Sequence, residues 1–342
     1  MSIRLIQIAA LGVMAALAGC AAAPRAPATS LAEAGIKATA SFSAEVRDTQ
    51  AQLGSLDVGD AFTSTLRQCS NPRLTCKEIV DPAELSDERR QLARVVGLRA
   101  QALDALGSAY AALQTEAAYD QGADLSGAAG DAVTAANAFA AEAARLDRGA
   151  TPAALPGEVA SLADFGFGLL GEHLQRKRLL AASREIAKAT LQIRNGMTAE
   201  AASFHRLTEY LVGERTAARI TLMKAGYLSP DDVFKQVAEQ LNLNLTVPDP
   251  NSESYRMAVQ ASMRALAQQE VIAVQQRYEA AIATLSALLQ SHAQLEKGKA
   301  LSIANVERVL TRLDASLNVP GPAPRQQAQP QGQGQQQQQQ QP

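Results

Sequence analysis

Val271, Val274, Tyr278, Ala281, Leu285, Leu288, His292 and Leu295 recur at alternating three- and four-residue intervals. An α-helix returns to the same face after about 3.6 residues, so these side chains form one seam, and a seam sustained over three heptads demands a partner helix. A strand, whose side chains alternate every second residue, cannot present them on one face. Gly298 interrupts the seam, and Ile303, Val306, Leu310, Leu313 and Leu317 resume one in shifted register. Read as one helix from about Ser252, the segment has some sixty residues and spans roughly 90–100 Å at 1.5 Å per residue. Such a length suits a stalk-like antiparallel bundle or coiled coil better than a sphere.

Earlier segments carry the same signature. Ser30 with Glu33 has capping-box spacing, and Phe42, Val46, Leu53 and Leu56 then form an apolar stripe that Gly59-Asp60 ends. Asp81, Pro82 and Glu84 mark a second start. From there Leu85, Leu92, Val96, Leu103, Leu106, Tyr110, Leu113 and Ala117 make a seam with Arg89 and Arg99 as departures. Gly122 to Gly130 loosens the chain before an alanine-rich helix to about Leu146, and the two prolines within Ala150 to Gly157 mark a boundary. Asn195-Gly196 reads as a helix stop, a further helix follows from Thr198 to about Ala225, and Gly226 closes it. Ser229-Pro-Asp-Asp232 opens a short helix, with its acids at the positive end. Leu241 to Val247 alternates like a strand, but with no partner strand in the chain it reads as an extended connector. Beyond Val319 the chain is largely proline and glutamine, which cannot bury enough area to offset the ordering entropy. The expected fold is an all-α, elongated antiparallel helical bundle over residues 31–318, with a disordered tail at 319–342.

Charge narrows the partners. The chain holds 32 basic and 34 acidic side chains, too even a balance for a nucleic-acid or acidic-polymer binder. Tryptophan is absent and aromatics are 4% of residues, so stacking platforms for bases are not expected. Alanine inflates the 47% hydrophobic content; it favours helix but buries little area, which makes the core thin per residue.

The N-terminal twenty residues set the address. Arg4 precedes an uncharged run from Leu5 to Ala18, followed by small residues against a cysteine. This layout is that of a secretory signal, and the run is shorter than the ~20 residues needed to cross a bilayer. The ending Leu17-Ala18-Gly19-Cys20 closely resembles the lipobox of bacterial lipoprotein signal peptides, a resemblance confined to this segment. It implies removal of residues 1–19, a diacylglyceryl thioether on Cys20 and an acylated new N-terminus, leaving 20–30 as acylated end and tether. In that family an aspartate after the cysteine favours inner-membrane retention; Ala21 here implies the periplasmic face of the outer membrane. Membrane lipid is then the first partner, through Cys20.

Export would place Cys69 and Cys76 in an oxidising compartment, where a turn at Asn71-Pro72 allows a disulfide. For so short a loop, chain entropy gives about 2.5 kcal/mol or less. No histidine is near enough in sequence to suggest zinc, and the spacing is not C-x-x-C. Gly166-Phe-Gly168-Leu-Leu-Gly171 matches G-x-G-x-x-G, but helical residues precede it and Leu191 stands where a dinucleotide site needs an acid. A closely packed helical turn is the expected role. Gln175-Arg-Lys-Arg178 with Arg184, Lys188 and Arg194 forms a basic run, either a solvated face or a contact for anionic headgroups.

No catalytic, cofactor or metal motif is present: G-x-S-x-G, H-E-x-x-H and the EF-hand loop are all missing. His173, His205 and His292 fall on different expected helices, and His292 holds a seam position where a polar residue fixes register. Asp231 and Asp232 belong to a helix start. The expected function is a lipid-anchored envelope scaffold or accessory subunit binding another envelope protein. The rivals are a ligand carrier or hydrolase with a pocket near Phe165 to His173, and a binder of anionic lipid through 175–194. Sequence leaves open whether the seams close within one chain or between copies of it.

Overall fold

A computed structural model describes residues 25–70, 73, 75–77, 87–118, 124–146, 172–240, 242, 249, 252–299, 301, 304, 307, 308 and 311. Among them are five long helices, α1 (Arg25–Ser70), α2 (Asp87–Ala117), α3 (Leu125–Leu146), α4 (Glu172–Lys224) and α6 (Glu253–Glu296), with a short α5 (Asp231–Gln240) and no strand. The fold is a helical bundle. Cys20 and the rest of residues 1–24, the Asp81–Glu84 start signal, the glycines at 166–171, most of the 241–247 connector and the 319–342 tail lie outside the described residues.

The start of α1 corrects the expected tether. Helix begins at Arg25 instead of Ser30, and Ala28 and Leu31 are already fully buried. Pro27 fits this first turn, where a backbone N–H would have no intrahelical acceptor anyway. Gly59-Asp60 does not stop α1 either; it continues to Ser70, with the Thr63 hydroxyl donating to the Gly59 carbonyl at 2.9 Å. At its end a disulfide joins Cys69 to Cys76, their Cα atoms 4.3 Å apart.

The larger correction is α4. Asn195-Gly196 was expected to end a helix, yet α4 runs unbroken for 53 residues, about 80 Å. Gly196 is there for close approach: a Cβ at this position would lie 2.6 Å from the Phe139 ring of α3. Continuity reveals one seam, Leu179, Ala182, Ile186, Ala189, Ile193, Met197, Glu200, Phe204, Leu207 and Leu211, every member buried. The glycines of 122–130 likewise do not all loosen the chain, since Gly127 and Gly130 lie inside α3.

Glycine does end helices where φ is positive. Gly226 (φ +80°) closes α4, with Tyr227 N–H donating to the Leu222 carbonyl at 2.9 Å. Gly298 (φ +62°) closes α6 the same way, Lys299 N–H donating to the Gln294 carbonyl at 3.0 Å. The long C-terminal helix is therefore 44 residues rather than sixty, and beyond it, among the described residues, 304, 307, 308 and 311 are helical. Its expected start holds: Ser252 caps it, accepting from Tyr255 N–H at 3.3 Å.

Cross-helix contacts give the topology. Arg47 meets Asp104 and Gly35 meets Tyr110, so α1 and α2 are antiparallel. Glu116 lies beside Gln175 while Arg99 meets Glu200, so α2 and α4 are antiparallel too. Arg94 near Glu142 pairs α2 with α3 in the same sense. Hence α3 and α4, packed through Phe139 and Gly196, run parallel. Ser183 meets His292 and Arg215 meets Glu270, placing α6 antiparallel to α4. Three helices, α1, α3 and α4, begin at one end, here called the Arg25 end. The opposite, Tyr227 end holds the α4–α5–α6 junction.

One core fills the Arg25 half, where α1, α2, α3, α4 and α6 meet around Leu31, Phe42, Leu106, Tyr110, Phe139 and Ile186. Because α3 is only 22 residues, about 33 Å, it accompanies α4 for less than half its length. Towards the Tyr227 end a separate small cluster, Ile220, Met223, Val259 and Met263, is flanked by Leu228, Val237, Tyr255 and Leu266.

Candidate functional site

Two polar layers lie inside the Arg25 half, each assembled from residues on several helices. The first centres on Arg99, which the seam of α2 presents as a misfit. Its side chain is 2% exposed and its Nη1 donates to Glu200 Oε1 of α4 at 2.6 Å. Tyr278 of α6 donates its hydroxyl to the same carboxylate oxygen at 2.9 Å and reaches the Met197 carbonyl at 2.8 Å. The Phe204 and Tyr278 rings stack with centroids 4.3 Å apart. The Arg99 guanidinium lies over both, 4.6 and 5.3 Å from their centroids. Arg99 thus meets one carboxylate and two ring faces at once, which compensates a cation taken from water.

Burial pushes the Glu200 carboxyl above its ordinary value, against the opposing pull of Arg99 and the Tyr278 hydroxyl. Burial, the largest single influence, would lower Arg99, but the charges of Glu200, Tyr278 and Glu45 and the Glu200 hydrogen bond together outweigh it and hold the guanidinium protonated. Glu45 of α1 stands at the edge of this layer. Burial raises its pKa, while Arg277, 3.8 Å away, works against the rise.

The second layer surrounds His292 of α6, 1% exposed. Its Nδ1 lies 2.7 Å from Ser183 Oγ and its Nε2 2.9 Å from the Tyr110 hydroxyl. Tyr110 in turn is 3.4 Å from Thr190 Oγ1, which donates to the Ile186 carbonyl at 2.8 Å. One direction uses every proton: Ser183 donates to Nδ1, Nε2–H donates to Tyr110, Tyr110 to Thr190, and Thr190 to the carbonyl. Burial lowers the His292 pKa to about 3 and pushes the Tyr110 phenol upward. The imidazole is neutral at any ordinary pH, as this chain requires.

Ser183 and His292 are at the contact distance of a nucleophile and its base. Both are sealed in the core, however, and the imidazole's other neighbour is a phenol instead of an orienting carboxylate. What this geometry does plainly is lock register, since a sliding helix would strand several buried polar atoms at once. His292 keeps its expected seam position, buried among these partners.

The remaining expected positions disperse. His173 and His205 share α4, contrary to their assignment to separate helices, because α4 passes through Gly196. Thirty-two residues apart, they are separated by about 48 Å. Among the described residues, no three metal-ligating side chains converge. The pocket expected near Phe165 to His173 lies outside them, apart from the backbone of Glu172 and His173. A shallow cleft of about 120 Å³ between α1 and α4 is lined by Gln52, Ser55, Gly59, Leu211, Glu214, Arg215 and Ala218. That is below the few hundred Å³ of an ordinary ligand pocket. The basic run divides: Gln175 is buried, donating to the Glu116 carbonyl, and Arg178 approaches the Glu116 carboxylate at 3.6 Å. Arg184 faces Glu296 at 3.6 Å and Lys188 meets Glu185 at 2.9 Å.

Sequence reasoning passed over Glu200 and undervalued Arg99. Both signals were present, since Arg99 interrupts the apolar seam of α2 and Glu200 is the one charge of opposite sign in the seam of α4. No described helix is long and apolar enough to cross a membrane. No protein-family model matches the chain, and no curated protein or solved structure matches it either.

Proposed function

We propose that this chain is an envelope lipoprotein, fastened through acylated Cys20 to the periplasmic face of the outer membrane, where it acts as a structural or interaction scaffold. The observation that carries the reading is the position of α1. Its first residue, Arg25, follows Cys20 by five positions, leaving only residues 21–24 between them. Five residue steps reach at most about 18 Å. An acyl group on Cys20 would therefore hold the Arg25 end of the bundle against the headgroups, with no long tether to decouple them. Helix α4 then carries the Tyr227 end as far as about 80 Å away. Interlocked polar layers in the Arg25 half stiffen such a spacer, and a stiff spacer suits a protein that presents a surface at a fixed distance.

Two measurements test this. The native protein from membranes should have the mass of residues 20–342 plus acyl chains, and Cys20→Ser should abolish its membrane retention. A photocrosslinker at Phe62, in intact cells, should capture one envelope protein reproducibly. An unmodified native mass defeats the anchor, and an absence of crosslinked protein defeats the scaffold.

A further inference from the structure

We propose that the Arg25 end of the bundle is a contact surface for anionic lipid headgroups, with Arg176 and Lys177 as its principal contacts. This rests on the anchor reading above, because it is the four-residue link to Cys20 that would bring this end to a membrane. The sequence offered the whole run from Gln175 to Arg194 for such a role, and the fold divides that run. Arg184, Lys188 and Arg194 lie farther down α4 and are engaged with Glu296, Glu185 and the Asn195 side chain. Arg178 leans on the buried Glu116. Arg176 and Lys177, half-buried and exposed in the second turn of α4, make no ion pair with a described residue.

Three further observations give this end its sign. Arg25 stands beside the run, its Nε donating to Gln175 Oε1 at 3.1 Å. Lys297 and Lys299 are exposed where α6 ends, near Arg184 and Glu296. Helices α1 and α4 begin here, which puts two positive helix ends beside the run, while the Phe139–Gly196 contact sets the start of α3 about ten residues, or roughly 15 Å, farther along α4. Of the described acids towards this end, Glu116 faces Arg178, Glu33 accepts from Gln114 and Asp124 accepts from the Gly127 N–H, while Asp131 is exposed on α3. Glu172, in the first turn of α4, is the carboxylate nearest in sequence to the run. Two cations without a described carboxylate partner suit a contact that orients an anchored rod without itself holding it.

The test uses the mature chain from residue 20 to 342 carrying Cys20→Ser, so that no acyl group contributes. Its co-sedimentation is measured with vesicles of equal parts phosphatidylglycerol and phosphatidylcholine, and with phosphatidylcholine alone. It should bind the anionic vesicles, weaken as salt rises, and ignore the neutral ones. Arg176→Gln with Lys177→Gln should lower binding roughly thirty-fold, a factor of about five per cation near the surface. Lys235→Gln with Arg264→Gln, exposed cations of the Tyr227 end, should leave it unchanged. Absence of binding, indifference to salt, or equal losses from the two pairs each overturn the proposal. Failure of the anchor is read separately, from the mass of the native protein.

Discussion

The half of the bundle around Tyr110 and the half around Gly59 draw on the same alanine-rich, helix-forming sequence, yet they are finished differently. Near Tyr110 five helices meet, and the helix glycines that face another helix are filled by it. A Cβ at Gly35 would lie 2.4 Å from the Tyr110 ring, at Gly196 2.6 Å from Phe139, and at Gly107 3.0 Å from Thr39. Near Gly59, beyond the reach of α3, the glycines Gly54, Gly59 and Gly213 face open space. The exposed large apolar side chains, Val58, Phe62, Tyr227, Met257 and Ile272, all lie on this side. Alanine contributes little area, so a helix of this composition is covered only when neighbours flank it on both sides. Five helices provide that near Tyr110, and the shorter set beyond the end of α3 does not. The difference teaches that stability should be concentrated towards the Arg25 end, where polar groups as well as apolar ones are enclosed.

The sharpest way to break that comparison is to remove a cation from each half. Arg99→Met leaves Glu200 buried without its partner and should lower the unfolding free energy by about 3–5 kcal/mol. Arg215→Met, which frees Glu270 in the thinner half, should change it by less than about 1 kcal/mol because that pair is partly solvated. Urea unfolding of the two variants compares them directly. Arg99→Met with Glu200→Met should recover much of the loss, since the penalty is the stranded charge. Similar costs for the two single variants would mean the halves are equally sealed.

Acid sharpens the comparison through His292. Its folded pKa, about 3, lies below the ordinary 6.5, so the folded state resists protonation that the unfolded chain accepts. The stabilising contribution is complete above pH 6.5 and is lost as pH falls towards 3. Between pH 7 and pH 5 the loss should be about 2 kcal/mol, at 1.36 kcal/mol per unit below 6.5. Glu200 and Glu45 act in the opposite sense. Their raised pKa values favour the fold on the acid side, and that contribution fades as pH rises through them. Comparing the chain with His292→Gln at both pH values therefore isolates the imidazole. The loss between pH 7 and pH 5 should be about 2 kcal/mol smaller in the variant, and equal slopes would show that His292 is not sealed.

Much of the fold can be read from local pattern, because a seam, a Ser252 cap or a positive-φ glycine after α4 is decided within a turn or two. The pairing of Cys69 with Cys76 is equally local, eight residues forming one loop. Gly196 marks where that legibility stops. Asn-Gly is a stop signal by propensity, and what keeps α4 going is Phe139, on another helix 57 positions earlier in the chain. The polar layers fail for a related reason. Arg99 and Glu200 each look like a flaw in its own seam, and only their meeting across 101 residues makes them a pair. The parallel course of α3 and α4 has no local signature at all.

Glycine-to-alanine substitution provides the finest test, because one chemical change should have opposite signs in the two halves. Alanine favours helix over glycine by about 1 kcal/mol wherever its methyl group meets nothing. At Gly35 that gain is set against a methyl driven into the Tyr110 ring, which the His292 layer holds in place. Overpacking of this kind costs roughly 1–3 kcal/mol, so Gly35→Ala should be a net loss of about 1 kcal/mol. At Gly54 nothing opposes the gain, and Gly54→Ala should stabilise the chain by about 0.5–1 kcal/mol in the same urea titration. A loss at Gly54 in the purified chain would mean that another surface already fills that notch. The face around Gly54, Val58 and Phe62 would then be an interface between copies of this protein, and the thin half would be thin only in the isolated chain.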